Sequence, residues 1–277
     1  MAKTAPATVL TLAELADPHR LYELSVQNPR AEVDFVDRIY RQRRGRSARW
    51  LREDFCGTAA VCCEWVRRRK TNRAVGVDLD REVLDWGRRV NLAGLSADQR
   101  ARVELLEQDV LAVETRPLDM VLAMNFSYWL LRGRVALKTY FERVRASLGP
   151  DGVFLLDAYG GYDSYRVISE ERVVRDPEIG PFTYIWEQAA YEPVSGRLVC
   201  HIHFAFPDGS RIERAFSYAG RLWSLPEIRE LLADAGFSRV QVYWQGWDAE
   251  GNPDGIFVPV QTGEPDAGWI AYISAEP

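Results

Sequence analysis

A chain of 277 residues with 47% hydrophobic content can bury one large α/β core with an elaboration. Its formal charge of −5 sets up a mild negative field that opposes a polyphosphate partner, so nucleic acid is disfavoured. The opening MAKTAPATVLTLAEL holds no apolar run of signal-peptide or membrane-span length, and Cys56, Cys62, Cys63 and Cys200 form no CxxC pair; the expectation is a cytoplasmic protein with reduced thiols and no membrane contact. With only His19, His201 and His203, and no HExxH arrangement, no metal site is expected.

The first elements are helical. Between Leu12 and about Arg44 apolar residues recur at helical spacing, first Leu21, Leu24 and Val26, then Val33, Phe35, Val36, Ile39 and Tyr40, with an interruption at Asn28-Pro29. The pattern then becomes strand (49–54), turn at Gly57-Thr58, helix (60–69) and strand (74–78), the alternation of a parallel sheet with helical crossovers. A helix over 81–92, strands over 103–108 and 120–125, a helix over 135–148 and a strand over 153–157 continue it. After Gly160-Gly161 the period changes to two: segments 182–193, 197–206 and 211–220, with Pro207-Asp208-Gly209 before the third, predict an antiparallel meander. Ser224 and Glu227 form a capping pair for a helix that closes near Gly236, and strands around 240–244 and 269–274 follow.

A nucleoside cofactor needs a tight turn after the first strand and a carboxylate at the end of the second to accept ribose hydroxyls. The turn Gly57-Thr58-Ala59 supplies the first, and Asp78, ending AVGVD, supplies the second at the roughly 20-residue separation such a unit uses. Singly, Gly57 reads as a plain turn and Asp78 as a helix cap. A dinucleotide would need GxGxxG as a seat for its pyrophosphate, and REDFCGTA lacks it.

The ordered stretches LREDFCGTAAVCCEWV, AVGVDLDREVLDWG, VELLEQDVL, PLDMVLAMNFSYWLL and YFERVRASLGPDGVFLLDAYGG resemble the motifs of class I S-adenosylmethionine-dependent methyltransferases. The segment from FTYIWEQAAYEP to LADAGF is similar to the cap and returning helix of small-molecule members that methylate glycine or amino sugars. The resemblance implies an α/β fold: a Rossmann-like, mostly parallel sheet with an antiparallel last strand. It divides the chain into a helical lid (1–45), a cofactor-binding core (46–161), an antiparallel cap (162–223) and a closing segment of the core (224–277). It further implies S-adenosylmethionine as cofactor, S-adenosylhomocysteine as product and a small-molecule methyl acceptor. Glu53 matches the motif's acid, Gly57 its central glycine, Asp78 the ribose carboxylate, Leu79 an adenine wall, and Asp109 the acid near the adenine amino group with Val110 beside it. Asn125 and Phe126 fall beside the methionine end. Phe55 and Ala59 stand where the family has glycines, which keeps a non-catalytic, cofactor-binding reading open.

Arg52, a charge within a strand, needs either a cofactor carboxylate or the neighbouring acids. Tyr22 and Gln27 either close the lid over the cofactor or pack as part of an amphipathic helix. For catalysis the candidates are His201 and His203, on the strand face opposite Cys200, Ile202, Phe204 and Phe206, if that face looks into the pocket. Tyr128 and Tyr159, with Trp186 and Tyr218, are candidate pocket rings for a cationic amine, or else core packing. An amine acceptor is favoured over oxygen by the resemblance; NFSY at 125–128 and the arginines at 41, 43, 44, 46 and 49 support the competing nucleic-acid reading.

Overall fold

The computed structural model describes residues 10–250 and 253–277, so residues 1–9 of the expected lid lie outside the described residues. Three helices lead: α1 (Leu12–Leu15), α2 (Pro18–Val26) and α3 (Pro29–Arg44). Asp17 and Asn28 accept amides of the first turns of α2 and α3, and Pro18 and Pro29 occupy first helical positions where no amide is needed. The break at Asn28-Pro29 is therefore a helix start.

The core follows as β1 (Trp50–Asp54), α4 (Ala60–Arg68), β2 (Arg73–Asp78), α5 (Arg81–Gly87), α6 (Ala97–Arg100), β3 (Val103–Glu107), β4 (Leu118–Ala123), α7 (Arg134–Ser147) and β5 (Leu148–Gly160). Next come β6 (Ile168–Asp176), β7 (Gly180–Glu192), β8 (Arg197–Ala205), β9 (Arg211–Arg221), α8 (Leu225–Asp234), β10 (Arg239–Trp247), β11 (Pro253–Val260) and β12 (Trp269–Glu276). An eight-stranded sheet has the order β11-β10-β12-β5-β4-β1-β2-β3; a second sheet is the meander β6-β7-β8-β9. β1 to β5 pair in parallel, whereas β12 runs antiparallel to β5 and to β10. The order reverses between β1 and β4, which opens a crevice at the carboxyl ends of the strands, where ligands of such sheets bind.

Strand alternation divides the core. Leu51, Met120, Leu122, Val153 and Leu155 pack with α3 and α4, through Val36, Ile39, Cys62 and Trp65. Val121, Ala123, Phe154 and Leu156 pack with α7 and α8, through Phe141, Val144, Leu231 and Leu232. A third cluster joins Leu21 of α2 to Phe182, Ile202, Phe204 and Phe206 of the smaller sheet.

Two strands were not expected. β6 reads ISEERVVRD, an edge strand exposed on most of its length, so no apolar alternation marks it. β11 is the other sheet's edge and contains Pro259, tolerated there because an edge strand has unpaired amides. The expected strand over 120–125 stops at Ala123, and Asn125 lies in the turn beyond it. All four cysteines are free and buried, and among the described residues no helix is long and apolar enough to cross a membrane.

Candidate cofactor and acceptor site

The turn after β1 passes through the left-handed region at alternate residues: φ is +57° at Phe55, +51° at Gly57 and +58° at Ala59. Phe55 and Ala59 hold this conformation with L side chains in place of glycine. Each non-glycine residue in that region costs about 1 kcal/mol or more. Packing offsets it: Phe55 stands edge-on to Tyr140 at 5.7 Å, and Ala59 is fully buried.

Hydrogen bonds hold the turn from three sides. Asp78 Oδ2 accepts the Gly57 amide at 2.8 Å, and its Oδ1 accepts the Asp80 amide at 3.0 Å. Thr58 donates its hydroxyl to Glu23 of α2 at 2.7 Å. Asn91, in the π-helical turn Arg88–Leu92 that extends α5, donates to the same Glu23 oxygen at 2.6 Å and to the Thr58 carbonyl at 3.0 Å. Gly87 lets α5 approach this loop, because a Cβ there would lie 2.5 Å from the Thr58 carbonyl oxygen. Beside Asp78 stand Leu79, 68% exposed, and Asp109, which follows β3 and accepts the Leu111 amide at 2.9 Å. Val110 turns into the core.

Across the crevice, Asn125 and Phe126 also have φ near +57°, at 58° and 56°, and both amides point at one carboxylate. Asp157 of β5 accepts them at 2.7 and 2.9 Å, and burial pushes that carboxyl up to about 7 against the lowering by the two amides. Glu53 faces α4, accepting the Cys62 amide at 3.1 Å and its thiol at 3.0 Å; burial pushes it up to about 8. Its neighbours Arg52 and Asp54 point the other way and pair with each other at 2.8 Å, while Tyr140 donates to Asp54 at 2.9 Å. Arg52 Nη1 reaches Thr115 at 3.4 Å. Arg52 is thus committed to an internal pair and is withdrawn as a ligand contact.

No protein-family model matches this sequence, and no curated protein does either. Solved structures do match. An S-adenosylmethionine-dependent methyltransferase from Clostridium acetobutylicum ATCC 824 superposes with a TM-score of 0.66 at 17% identity, over 93% of this chain and 96% of that one. CalS10, an amino pentose methyltransferase from Micromonospora echinaspora, gives 0.66 at 17% identity over 99% of this chain and 100% of its own. The sugar N-methyltransferase KedS8 from Streptoalloteichus sp ATCC 53650 gives 0.61 at 17% identity over 100% and 98%.

The chain has the Rossmann-like methyltransferase fold.

Within this fold the smaller sheet presents its apolar face to the crevice. Cross-strand register places Trp186 opposite Ile202, Tyr184 opposite Phe204 and Tyr218 opposite Cys200, all on that face. Tyr22 of α2 joins them, 5.0 Å from the Phe216 ring and near Tyr218. Burial, then the nearby Tyr218, raises the Tyr22 phenol far above its ordinary value, and burial pushes Tyr218 and Tyr159 up to about 12. Tyr159 lies 5.9 Å from Phe126 and 6.2 Å from Trp129.

His201 and His203 occupy the opposite face, as strand alternation requires. His203 is gripped by Glu187 at 3.0 Å and by Glu213, and His201 meets Ser217 at 2.8 Å. This removes both histidines from the acceptor side. Tyr128 is removed too: it is fully buried and donates its hydroxyl to the Asp157 carbonyl at 2.8 Å. The arginine run lies at the far end of α3, where Arg44 pairs with Glu276 at 2.8 Å and Arg46 with Asp119 at 3.0 Å. Glu23, Asn91 and Asp157 were missed as site residues; only Asp157, closing the apolar run VFLLD, carries a sequence signal.

Proposed function

We propose that this chain is an S-adenosylmethionine-dependent methyltransferase acting on an amine of a small molecule. The observation that carries the reading is the Asp78 carboxylate locked to the Gly57 amide at 2.8 Å, at the point where the sheet order reverses. The residues fit the cofactor chemically. Each Asp78 oxygen keeps a free lone pair for a ribose hydroxyl, Leu79 offers exposed apolar surface for adenine, Asp109 stands beside it for the exocyclic amine, and Val110 backs the pocket. Phe55, Gly57, Thr58, Asn125 and Phe126 supply the backbone around the amino-acid end, with Tyr22 as the lid.

When bound, the cofactor supplies a methyl group on a positively charged sulfur, already activated for direct displacement. What is left for the protein is alignment, exclusion of water and an unprotonated acceptor. Tyr22, Tyr184, Trp186 and Tyr218 line the acceptor side with ring faces, which favour a cationic amine. The phenols of Tyr159 and Tyr218 stay protonated at neutral pH and act as donors that orient the acceptor. Glu170, opposite Trp186 in the strand register and near enough to raise Tyr159, is the carboxylate placed to take the amine's proton. An amine is supported by the fold shared with CalS10, an amino pentose methyltransferase, and KedS8, a sugar N-methyltransferase.

Incubation with methyl-labelled S-adenosylmethionine and a panel of amino sugars and their hydroxyl analogues tests the proposal. Label transferred to amines, and S-adenosylhomocysteine binding by calorimetry without NAD binding, is the expected result. Binding of NAD alone would overturn it.

A further inference from the structure

The corner between α2 and α3 carries two acceptor oxygens that nothing in the protein satisfies. Gln27 Oε1 and Glu32 Oε2 are sealed from solvent and have no hydrogen-bond partner. Glu32 is 9% exposed, and its other oxygen meets only the Asn28 amide, at 3.3 Å. A carboxylate oxygen held dry and unpaired is destabilising, so a fold keeps one where a ligand completes it.

The surroundings say which charge that ligand brings. α3 packs on α4 and β5, and Arg46, just beyond its C-terminus, reaches Asp119 and Asp151 at the bottom of the sheet, so the first turn of α3 stands at the carboxyl ends of the strands. There Glu32 adds its charge to those felt by Glu53, Asp157 and Tyr22, raising each further. Glu23 and Asp78 border the same crevice. Among the described residues, the one ion-pair partner any of these five carboxylates has is Arg20, 3.8 Å from Glu23 and 40% exposed. The crevice thus gathers carboxyl groups with no buried cation among them; burial raises Glu32, Glu53 and Asp157, so these groups hold protons that an arriving cation would displace.

We propose that Glu32 and Gln27 bind the ammonium group of the cofactor's amino-acid end, making the α2–α3 corner the site that selects an amino-acid-bearing nucleoside over a plain one. An ammonium has three donors and can serve Glu32 Oε2 and Gln27 Oε1 together. Glu32 stands with Glu53 of β1 and Asp157 of β5, at the carboxyl ends of the central strands and under the Tyr22 lid, where the amino-acid end of the cofactor would lie; this favours the cofactor's ammonium over the substrate amine. The inference rests on the methyltransferase reading above.

The test is calorimetry of the whole protein with two probes: S-adenosylhomocysteine, which carries the ammonium, and 5′-methylthioadenosine, which lacks the amino acid. Glu32→Gln keeps the shape and removes the charge. It is expected to weaken S-adenosylhomocysteine by about tenfold or more and to leave 5′-methylthioadenosine within about twofold. Gln27→Ala is expected to give the same split at about threefold, which keeps the idea testable should Glu32→Gln not fold. Unchanged S-adenosylhomocysteine affinity in both variants, or equal losses for the two probes, overturns the assignment. Wild-type protein that binds neither probe overturns the functional reading beneath it, whereas binding of both with no split overturns this inference alone.

Discussion

Asp78 Oδ2 and the Gly57 amide, 2.8 Å apart, tie the end of the second strand to the turn after the first. One carboxylate thereby shapes this loop and, on the proposed reading, keeps acceptor capacity for the ribose. Asp78→Ala removes both functions. Loss of a charge-assisted bond of this kind is expected to weaken S-adenosylhomocysteine about ten- to a hundredfold by calorimetry. Unchanged affinity would place the ribose elsewhere.

Gly87→Ala sets two effects against each other. Helix propensity alone predicts stabilisation by about 1 kcal/mol. The new Cβ, however, would lie 2.5 Å from the Thr58 carbonyl oxygen and 3.0 Å from its carbonyl carbon, both backbone atoms of the site loop. Overpacking costs of about 1–3 kcal/mol outweigh the gain. Denaturant unfolding should show a net loss, together with weaker nucleoside binding because the loop must shift.

Ala59, fully buried at φ +58°, tests the backbone strain directly. Ala59→Gly relieves roughly 1 kcal/mol of left-handed cost and gives up a similar amount of methyl burial, so its stability should stay near that of the wild type. Ala59→Val places a branched side chain in the same conformation and should cost about 2 kcal/mol or more. Equal stabilities for the two variants in denaturant unfolding would contradict the left-handed turn.

Stability should fall as pH rises through neutrality. Burial lifts Glu53 from 4.5 to about 8 and Asp157 from 3.8 to about 7, so the folded protein holds protons that the unfolded chain has released. Their contribution is complete below about pH 4 and is lost progressively until pH 8. The ligand-free protein should therefore melt at a lower temperature at pH 8 than at pH 5.5, and Glu53→Gln should flatten that slope. A melting temperature that rises over this interval in the wild type would contradict it.

The parallel core could be read from the sequence because buried strands and their crossover helices leave strong patterns: AVGVD, VFLLD and the helix opened by Ser224 and Glu227 all fall where expected. Edge strands leave none. β6, charged on both faces, and β11, with Pro259, have too little apolar surface on one side to show a period of two. The acceptor side was hidden for a different reason. Alternation placed His201 and His203 together, but only the packing of Leu21 against Ile202 and Phe204 decides which face looks inward. Glu23, Glu32 and Asn91 are ordinary helix residues until α2, α3 and the turn after α5 are brought together.

The position of the nucleoside decides the assignment of Asp78 and Gly57, and a crystal structure with S-adenosylhomocysteine measures it directly. The expected density has the ribose hydroxyls on Asp78, adenine between Leu79 and Asp109, and the amino-acid end against Glu32 and Gln27. Density elsewhere, with the Asp78–Gly57 crevice filled only by water at saturating ligand, would contradict it.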